Sequence, residues 1–505
     1  MADCANVSVA EFRETLTKLH YVEENSDSSG KYYLDVLKII TEHLKIEQCR
    51  KEMSADAFHD IKVILGHCFE RITVNSDNSQ ETGKLYYESR TQWCTECFRI
   101  LRNSCVQCPK NQDLIRDCDI LLVVKQILLF YTSKHLQDSE DVIAIRCAVQ
   151  FLGNLVAGNT NLQKRVWQIM FPEIFSNIFN LNDTKASIYS CMVIHNCLND
   201  HHKQQLIKQP GGQTLVESIL QLCKSETEQE WALHIIQDLV LNVEFFLTQY
   251  EEVSEECKLI LLDIVSAMLD DPSFDSELSS QVNMDGDTHD SIPGFVFAFL
   301  AQQFEMQACN VLLPKSDKID ENTIETETLV VVQLLQILCL ATSDLGKYKV
   351  LQKRTSLLHI TLEMLQKAHA IGQSGDNRFT VSQTLTSAAC SHTDNPVFGF
   401  KRDLIRLIGN MCYKNKDNQD MVRISEGIPL ILEHCNIDEH NPFISQWAIF
   451  AIHNICEQNA DNQDVIASMQ NQGVADCKQL KELGVDVQER DGKIYVKTTK
   501  KTKAS

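Results

Sequence analysis

The amino-acid sequence predicts an all-α chain, a helical solenoid that ends in a small β-hairpin. Three observations carry this. Glycine and proline together number 18 + 9 = 27 of 505 residues, about 5% against roughly 12% in ordinary usage. A chain so poor in turn-formers disfavours sandwiches, barrels and doubly wound sheets. Apolar residues recur at helical spacing, as in Leu404, Leu407, Ile408 and Met411, the i, i+3, i+4, i+7 face of a helix. The third observation is an internal repeat.

Five segments share one pattern: residues 98–115, 149–166, 192–207, 404–422 and 450–466. Each has an Asn inside an apolar helix: Asn103, Asn154, Asn196, Asn410 and Asn454. Nine residues later each has a Gln, namely Gln112, Gln163, Gln205, Gln419 and Gln463, which opens the next short apolar run. Neighbouring anchors are 51, 42 and 44 residues apart (154 − 103, 196 − 154 and 454 − 410). A period of about 40–47 residues is that of armadillo or HEAT units. Counting on from Asn196 reaches Asp238, which marks a decayed copy, and residues 58–72 and 329–341 read as further degenerate copies. In the unit around Asn410, Gly427 is expected to end one helix and Pro429 to begin the next.

Segments 75–83, 270–294, 314–328 and 372–396 are polar, lack apolar periodicity and read as loops or linkers. Residues 485–498 alternate around Asp491–Gly492, the signal of a two-stranded ribbon. The tail beyond it carries Lys497, Lys500, Lys501 and Lys503.

A net charge of 47 − 69 = −22 disfavours a nucleic-acid partner, which needs a basic face. The first residues lack a basic segment followed by an apolar core, so no secretory leader is expected. The 20 cysteines are then expected to be reduced. No apolar run reaches the ~18 residues of a spanning helix. The best, residues 329–341, is interrupted by Gln333 and Gln336, so no membrane insertion is expected.

Catalytic motifs are missing from the sequence: no phosphate loop, dinucleotide loop, zinc-protease helix or nucleophile elbow is present. We therefore expect no catalytic residue, no metal and no cofactor. Asp285, Asp287 and Asp290 lack calcium-loop spacing. His201 and His202 fall where an inter-helix turn is expected and read as exposed turn histidines. Cys94, Cys97, Cys105 and Cys108 form C-x2-C-x7-C-x2-C, superficially a zinc spacing. On one straight helix the outer pair would lie about 21 Å apart, so these thiols read as a buried stripe.

Residues 404–420, 427–438, 441–443 and 461–467 together resemble the C-terminal domain of the ataxin-10 family. The resemblance implies an armadillo-type cytoplasmic scaffold, with roles in neuron survival, neurite outgrowth and cytokinesis. It also implies a perinuclear, centrosomal or midbody association. The expected layout is 1–269 as N-terminal degenerate repeats, 270–293 as an acidic linker, and 294–371 as middle helical repeats. A Ser/Thr-rich loop follows at 372–396. Residues 397–490 form the family-type C-terminal domain with two repeats, and 491–505 the hairpin end and basic tail.

The candidate partner-binding residues are Asn103, Asn154, Asn196, Asn410 and Asn454. An Asn amide offers both a donor and an acceptor to an extended peptide. Equally, such an Asn can bond a neighbouring helix and fix repeat stacking. A transport-type adaptor that clamps peptides would carry Trp four residues before each Asn. Those positions hold Arg99, Gln150, Met192, Arg406 and Phe450. The expected partners are other proteins, and self-association is left open by the sequence.

Overall fold

The computed structural model describes residues 2–19, 30–75, 81–133, 139–224, 230–270, 292–312, 321–344, 349–375, 377–381, 395–469, 485–490 and 493–498. The chain divides into two compact units, residues 1–253 and 254–505.

In the first unit, helices Gly30–His43, Glu81–Ser104, Ser139–Val156, Thr184–Cys197 and Glu230–Val240 stack in chain order, each packing on the one before. In the second unit the stack is Glu255–Asp270, Glu321–Ser343, Phe400–Cys412 and Ile444–Cys456. Shorter helices return the chain between successive members. Thr160–Met170 with Glu173–Phe179 is one such return, and Lys416–Ile424 with Gly427–Leu432 is another. Stacking of this kind buries a continuous apolar seam, because no single unit can cover its own faces. Phe98, Phe151, Ile194 and Ile235 fill that seam in the first unit; Leu335, Leu338, Leu404, Ile408 and Ile455 fill it in the second.

The start of each return helix is set locally. Asn159, Asn415 and Asn459 have extended backbone, and each side-chain oxygen accepts from the N–H three residues on. This satisfies one of the donors that a helix start leaves open. The residue just before each of these caps is left-handed: Gly158 at φ 69°, Lys414 at 48° and Gln458 at 56°. Gln107, at φ 50°, holds the same place in the earlier unit.

Several expectations change. The division falls at residue 253 rather than 269, because Glu255–Asp270 packs on Glu321–Ser343 of the second unit. Residues 321–328, expected to be part of a linker, are the first turns of that long helix. Residues 81–83 likewise belong to helix Glu81–Ser104, and 372–373 to helix Thr355–Gln373. The earliest stacked helix is Gly30–His43; residues 58–72 lie in Ala55–Asn75, which packs on Glu81–Ser104 from the side. Gly427 does not end a helix. Glu426 carries the left-handed turn at φ 56°, and Gly427 opens the next helix. A Cβ at Gly427 would come within 2.7 Å of Val422 Cγ1, so the glycine is needed for close packing.

Helix Glu321–Ser343 also revises the hydropathy reading. Its residues 325–343 have a mean hydropathy of 1.5, enough by length and composition to cross a membrane, yet most of that window is buried in the protein. It packs on Glu255–Asp270, Gly294–Gln307 and Phe400–Cys412, as a core helix does. At the C-terminus, Val485–Arg490 (β1) and Lys493–Thr498 (β2) pair antiparallel, Val485 opposite Thr498 and Arg490 opposite Lys493. The Asp491–Gly492 turn and the segment 271–291 lie outside the described residues.

Candidate functional site

The repeated Asn side chains reach backward along the stack. Asn103 Nδ2 donates to the Thr41 carbonyl at 3.1 Å, and Asn154 Nδ2 to the Arg102 carbonyl at 3.0 Å. Asn410 Nδ2 donates to the Cys339 carbonyl and to Thr342 Oγ1, both at 3.1 Å. Asn454 Nδ2 donates to the Gly409 carbonyl at 2.9 Å. Each acceptor lies near the C-terminal end of the preceding stacked helix. Arg102 and Gly409 each sit one residue before the anchor of their own unit. By the same register Leu340 occupies an anchor position, which places residues 329–341 in the repeat series. Asn196 differs, donating to Met192 within its own helix at 2.9 Å.

Two of the Gln residues reach forward. Gln112 Nε2 donates to the carbonyls of Asn154 (2.9 Å) and Ala157 (3.0 Å) in the next unit. Gln419 Nε2 repeats this on Asn454 (2.9 Å) and Glu457 (3.3 Å). Gln163 and Gln463 donate instead to the carbonyl seven residues earlier in their own unit. Gln205 accepts from Trp167 Nε1 at 2.7 Å. At two interfaces, Gln112/Asn154 and Gln419/Asn454, the Asn and the Gln of the preceding unit thus form a two-way tie.

A second series escaped the sequence reading. Asn111, Asn418 and Asn462 stand eight residues after their anchors and are almost fully buried. Each donates to the carbonyl seven residues back: Ser104, Met411 and Ile455. Each also donates to the preceding unit, at the carbonyls of Arg50, Gln352 and Gln419. The capping Asn159 and Asn459 close the network by donating to the Gln and to the following Asp of the unit before. The signal available in the sequence was the Asn-rich string itself, in N-K-D-N-Q-D (415–420) and N-A-D-N-Q-D (459–464).

The structure therefore assigns four of the five candidate Asn side chains to stacking. Asn410 and Asn454 are buried and Asn103 and Asn154 half-buried, and each of the four spends at least one amide N–H on the neighbouring helix. The positions four residues before the anchors are engaged too. Arg102 Nη1 donates to Gln150 Oε1 at 2.6 Å, and the Arg406 guanidinium lies 4.9 Å over the Trp447 ring. Trp447 meets Phe450 edge-on at 5.5 Å.

The cysteine and histidine readings are refined. Helix Glu81–Ser104 ends before Cys105, and Cys108 caps Pro109–Asp117, so the four thiols do not share one helix. All four are buried. The neighbouring Cys68 thiol and burial hold Cys94 well above its ordinary range, and burial does the same to Cys97. Such thiols are poor nucleophiles. Among the described residues no three His, Cys, Asp or Glu side chains are placed to hold one metal ion. His202 is buried, not an exposed turn residue. Helix Asp200–Lys208 already contains it, its ring stacks on Trp167 at 4.6 Å, and Nδ1 lies 2.6 Å from the Cys197 carbonyl. Burial pushes its pKa down.

Residues 400–497 match the family described as "Spinocerebellar ataxia type 10 protein domain". Ataxin-10 of Xenopus tropicalis is 34% identical over 420 residues, 83% of each chain. Ataxin-10 of Homo sapiens is 33% identical over 472 residues, covering 93% of this chain and 95% of that one. Among solved structures an engineered protein aligns over 87% of this chain and 98% of its own, at 13% identity and a TM-score of 0.34. Fold and ladder define a helical-repeat protein whose units are pinned by buried amides. Within that class, the chain belongs to the ataxin-10 family.

Proposed function

We propose that this protein is a non-enzymatic cytoplasmic scaffold whose surface recruits other proteins. The observation that carries the reading is what the stack leaves outside. The amide ladders are consumed between units, while large apolar side chains stay exposed around the last stacked helix of the second unit: Phe443 (70% exposed), Ile449 (64%) and Phe450 (40%). Apolar surface grouped in this way is the usual mark of a protein-protein contact. The family adds the expected roles in neuron survival, neurite outgrowth and cytokinesis, and a perinuclear, centrosomal or midbody placement. The transport-type adaptor gains less support, since four of the five Asn side chains it would use already donate to the neighbouring helix. The test is affinity capture from cytosol with the full chain, comparing wild type with an Ile449→Ser/Phe450→Ser variant of unchanged melting temperature. A stable partner set lost in the variant is expected. Recovery of no stable partner, or a set indifferent to the variant, counts against the reading.

A further inference from the structure

Two neighbouring helices of the second unit bring a cation onto an aromatic ring. Arg406 lies on Phe400–Cys412, and its guanidinium carbon sits 4.9 Å from the centre of the Trp447 ring on Ile444–Cys456. Close approach of the helices makes the pair. A Cβ at Gly409 would fall 3.0 Å from Ala451 Cα and 3.3 Å from Phe450 Cδ1, so the glycine admits the next helix. Phe450 meets Trp447 edge-on at 5.5 Å and stays 40% exposed. Apolar surface therefore stands beside the cation.

Arg406 has no anion to balance it. Asp403, one turn earlier, is the natural partner, but it accepts two hydrogen bonds from Arg402, at 2.8 and 2.7 Å. Among the described residues no carboxylate or carbonyl accepts from Arg406. The residue is half-buried. Its Nε is sealed and takes no part, whereas Nη1 and Nη2 reach the surface. Stacking occupies the flat face of a guanidinium and leaves its N–H edge available. The indole N–H of half-buried Trp447 likewise has no hydrogen bond among the described residues. Both groups donate and neither accepts. In a chain with 69 acidic against 47 basic residues, this arginine fork is left unpaired.

We propose that this face binds a carboxylate from an acidic segment of a partner protein. Arg406 Nη1 and Nη2 hold the carboxylate, and an apolar side chain next to it rests on Phe450. The proposal rests on the reading that this end of the second unit recruits proteins, and it names the chemistry of what is recruited. A carboxylate brings two acceptor oxygens to the planar fork. A basic segment would meet Arg406 with like charge, and an uncharged one would leave the fork without its counter-charge.

The test uses the full chain and two rhodamine-labelled peptides with blocked ends. One is three repeats of Glu-Leu-Asp-Phe; the other is its amide counterpart, three repeats of Gln-Leu-Asn-Phe. Binding is read by fluorescence anisotropy. The acidic peptide is expected to bind saturably, at least about tenfold tighter than the amide peptide. Arg406→Gln should bring it down to the amide level and leave the amide peptide unchanged. Phe450→Glu plants a carboxylate beside the fork and should weaken the acidic peptide as much, which serves if Arg406→Gln does not fold. If the acidic peptide does not bind saturably, if the amide peptide binds as well, or if Arg406→Gln leaves the affinity unchanged, the proposal falls. Capture from cytosol with Arg406→Gln separates that failure from failure of the wider reading. A partner set kept in Arg406→Gln but lost in Ile449→Ser/Phe450→Ser leaves the recruiting surface standing and removes the carboxylate.

Discussion

Asn454 and Asn196 hold the same place in the repeat and do different work. Asn454 satisfies a carbonyl of the neighbouring helix, whereas Asn196 bonds a carbonyl that its own helix already uses. Asn454→Ala should therefore cost about 1–3 kcal/mol. Asn196→Ala should be close to neutral, since Ala is the better helix former. Thermal denaturation of the two variants checks this, and equal losses would contradict the ladder. His434 gives a second residue-scale prediction. Burial, only partly offset by the Leu430 carbonyl, holds its pKa at about 4 against an ordinary 6.5. Above pH 6.5 both states are neutral and the group adds no pH dependence. As pH falls from 6.5 toward 4 the unfolded chain takes up a proton that the folded chain refuses, so stability falls. The loss is roughly 3 kcal/mol in all and levels off below pH 4. Between pH 6.5 and 4 the denaturant midpoint of wild type should fall relative to that of His434→Phe. Parallel curves would show that the ring is not protected.

At the scale of the element, the turn between a stacked helix and its return helix is the informative piece. Its left-handed residue is Gly158 in one unit but Lys414 and Gln458 in two others. That is why the sequence did not mark it: with Gln107 in the same place in a fourth unit, the usual glycine signal is present once in four. The Asn–Gln period was legible because both residues keep one register through five segments. The direction of the bonds was not. Their acceptors are main-chain carbonyls, so Thr41, Arg102, Cys339 and Gly409 show no common side chain. The stacking of Arg406 on Trp447 was invisible for a related reason, since the two residues hold different places in successive units. A Cβ at Gly158 meets nothing within 4 Å, so Gly158→Val has no steric neighbour to offend. It should still cost about 1–2 kcal/mol through the left-handed backbone alone, measurable as a lowered unfolding midpoint. No change would mean that the turn relaxes freely.

At the scale of the whole molecule, the position of the division has a direct test. A fragment 254–505 retains helix Glu255–Asp270, whose Leu261, Leu262, Val265 and Met268 are buried. A fragment 270–505 strips that helix from the stack and uncovers the facing side of Glu321–Ser343. The longer fragment should melt cooperatively and at the higher temperature. Equal melting of the two would return the boundary to residue 269. Leucine-sized side chains contribute about 1.5–3 kcal/mol each when buried, so the difference should be plain.

The ladder also has an arrow. Every interface amide on an anchor helix points toward the N-terminus, at a carbonyl that was synthesised earlier. On the ribosome each acceptor is therefore already synthesised when its Asn emerges, so these bonds can close in chain order like a zip. Gln112 and Gln419 point the other way and must wait for the unit after them. Gln463, in the last described unit, turns back on its own Cys456 carbonyl, as Gln163 does on Val156. Gln419 makes the backward bond to Cys412 together with both forward bonds, so a further unit would be received without losing the bond to Cys456.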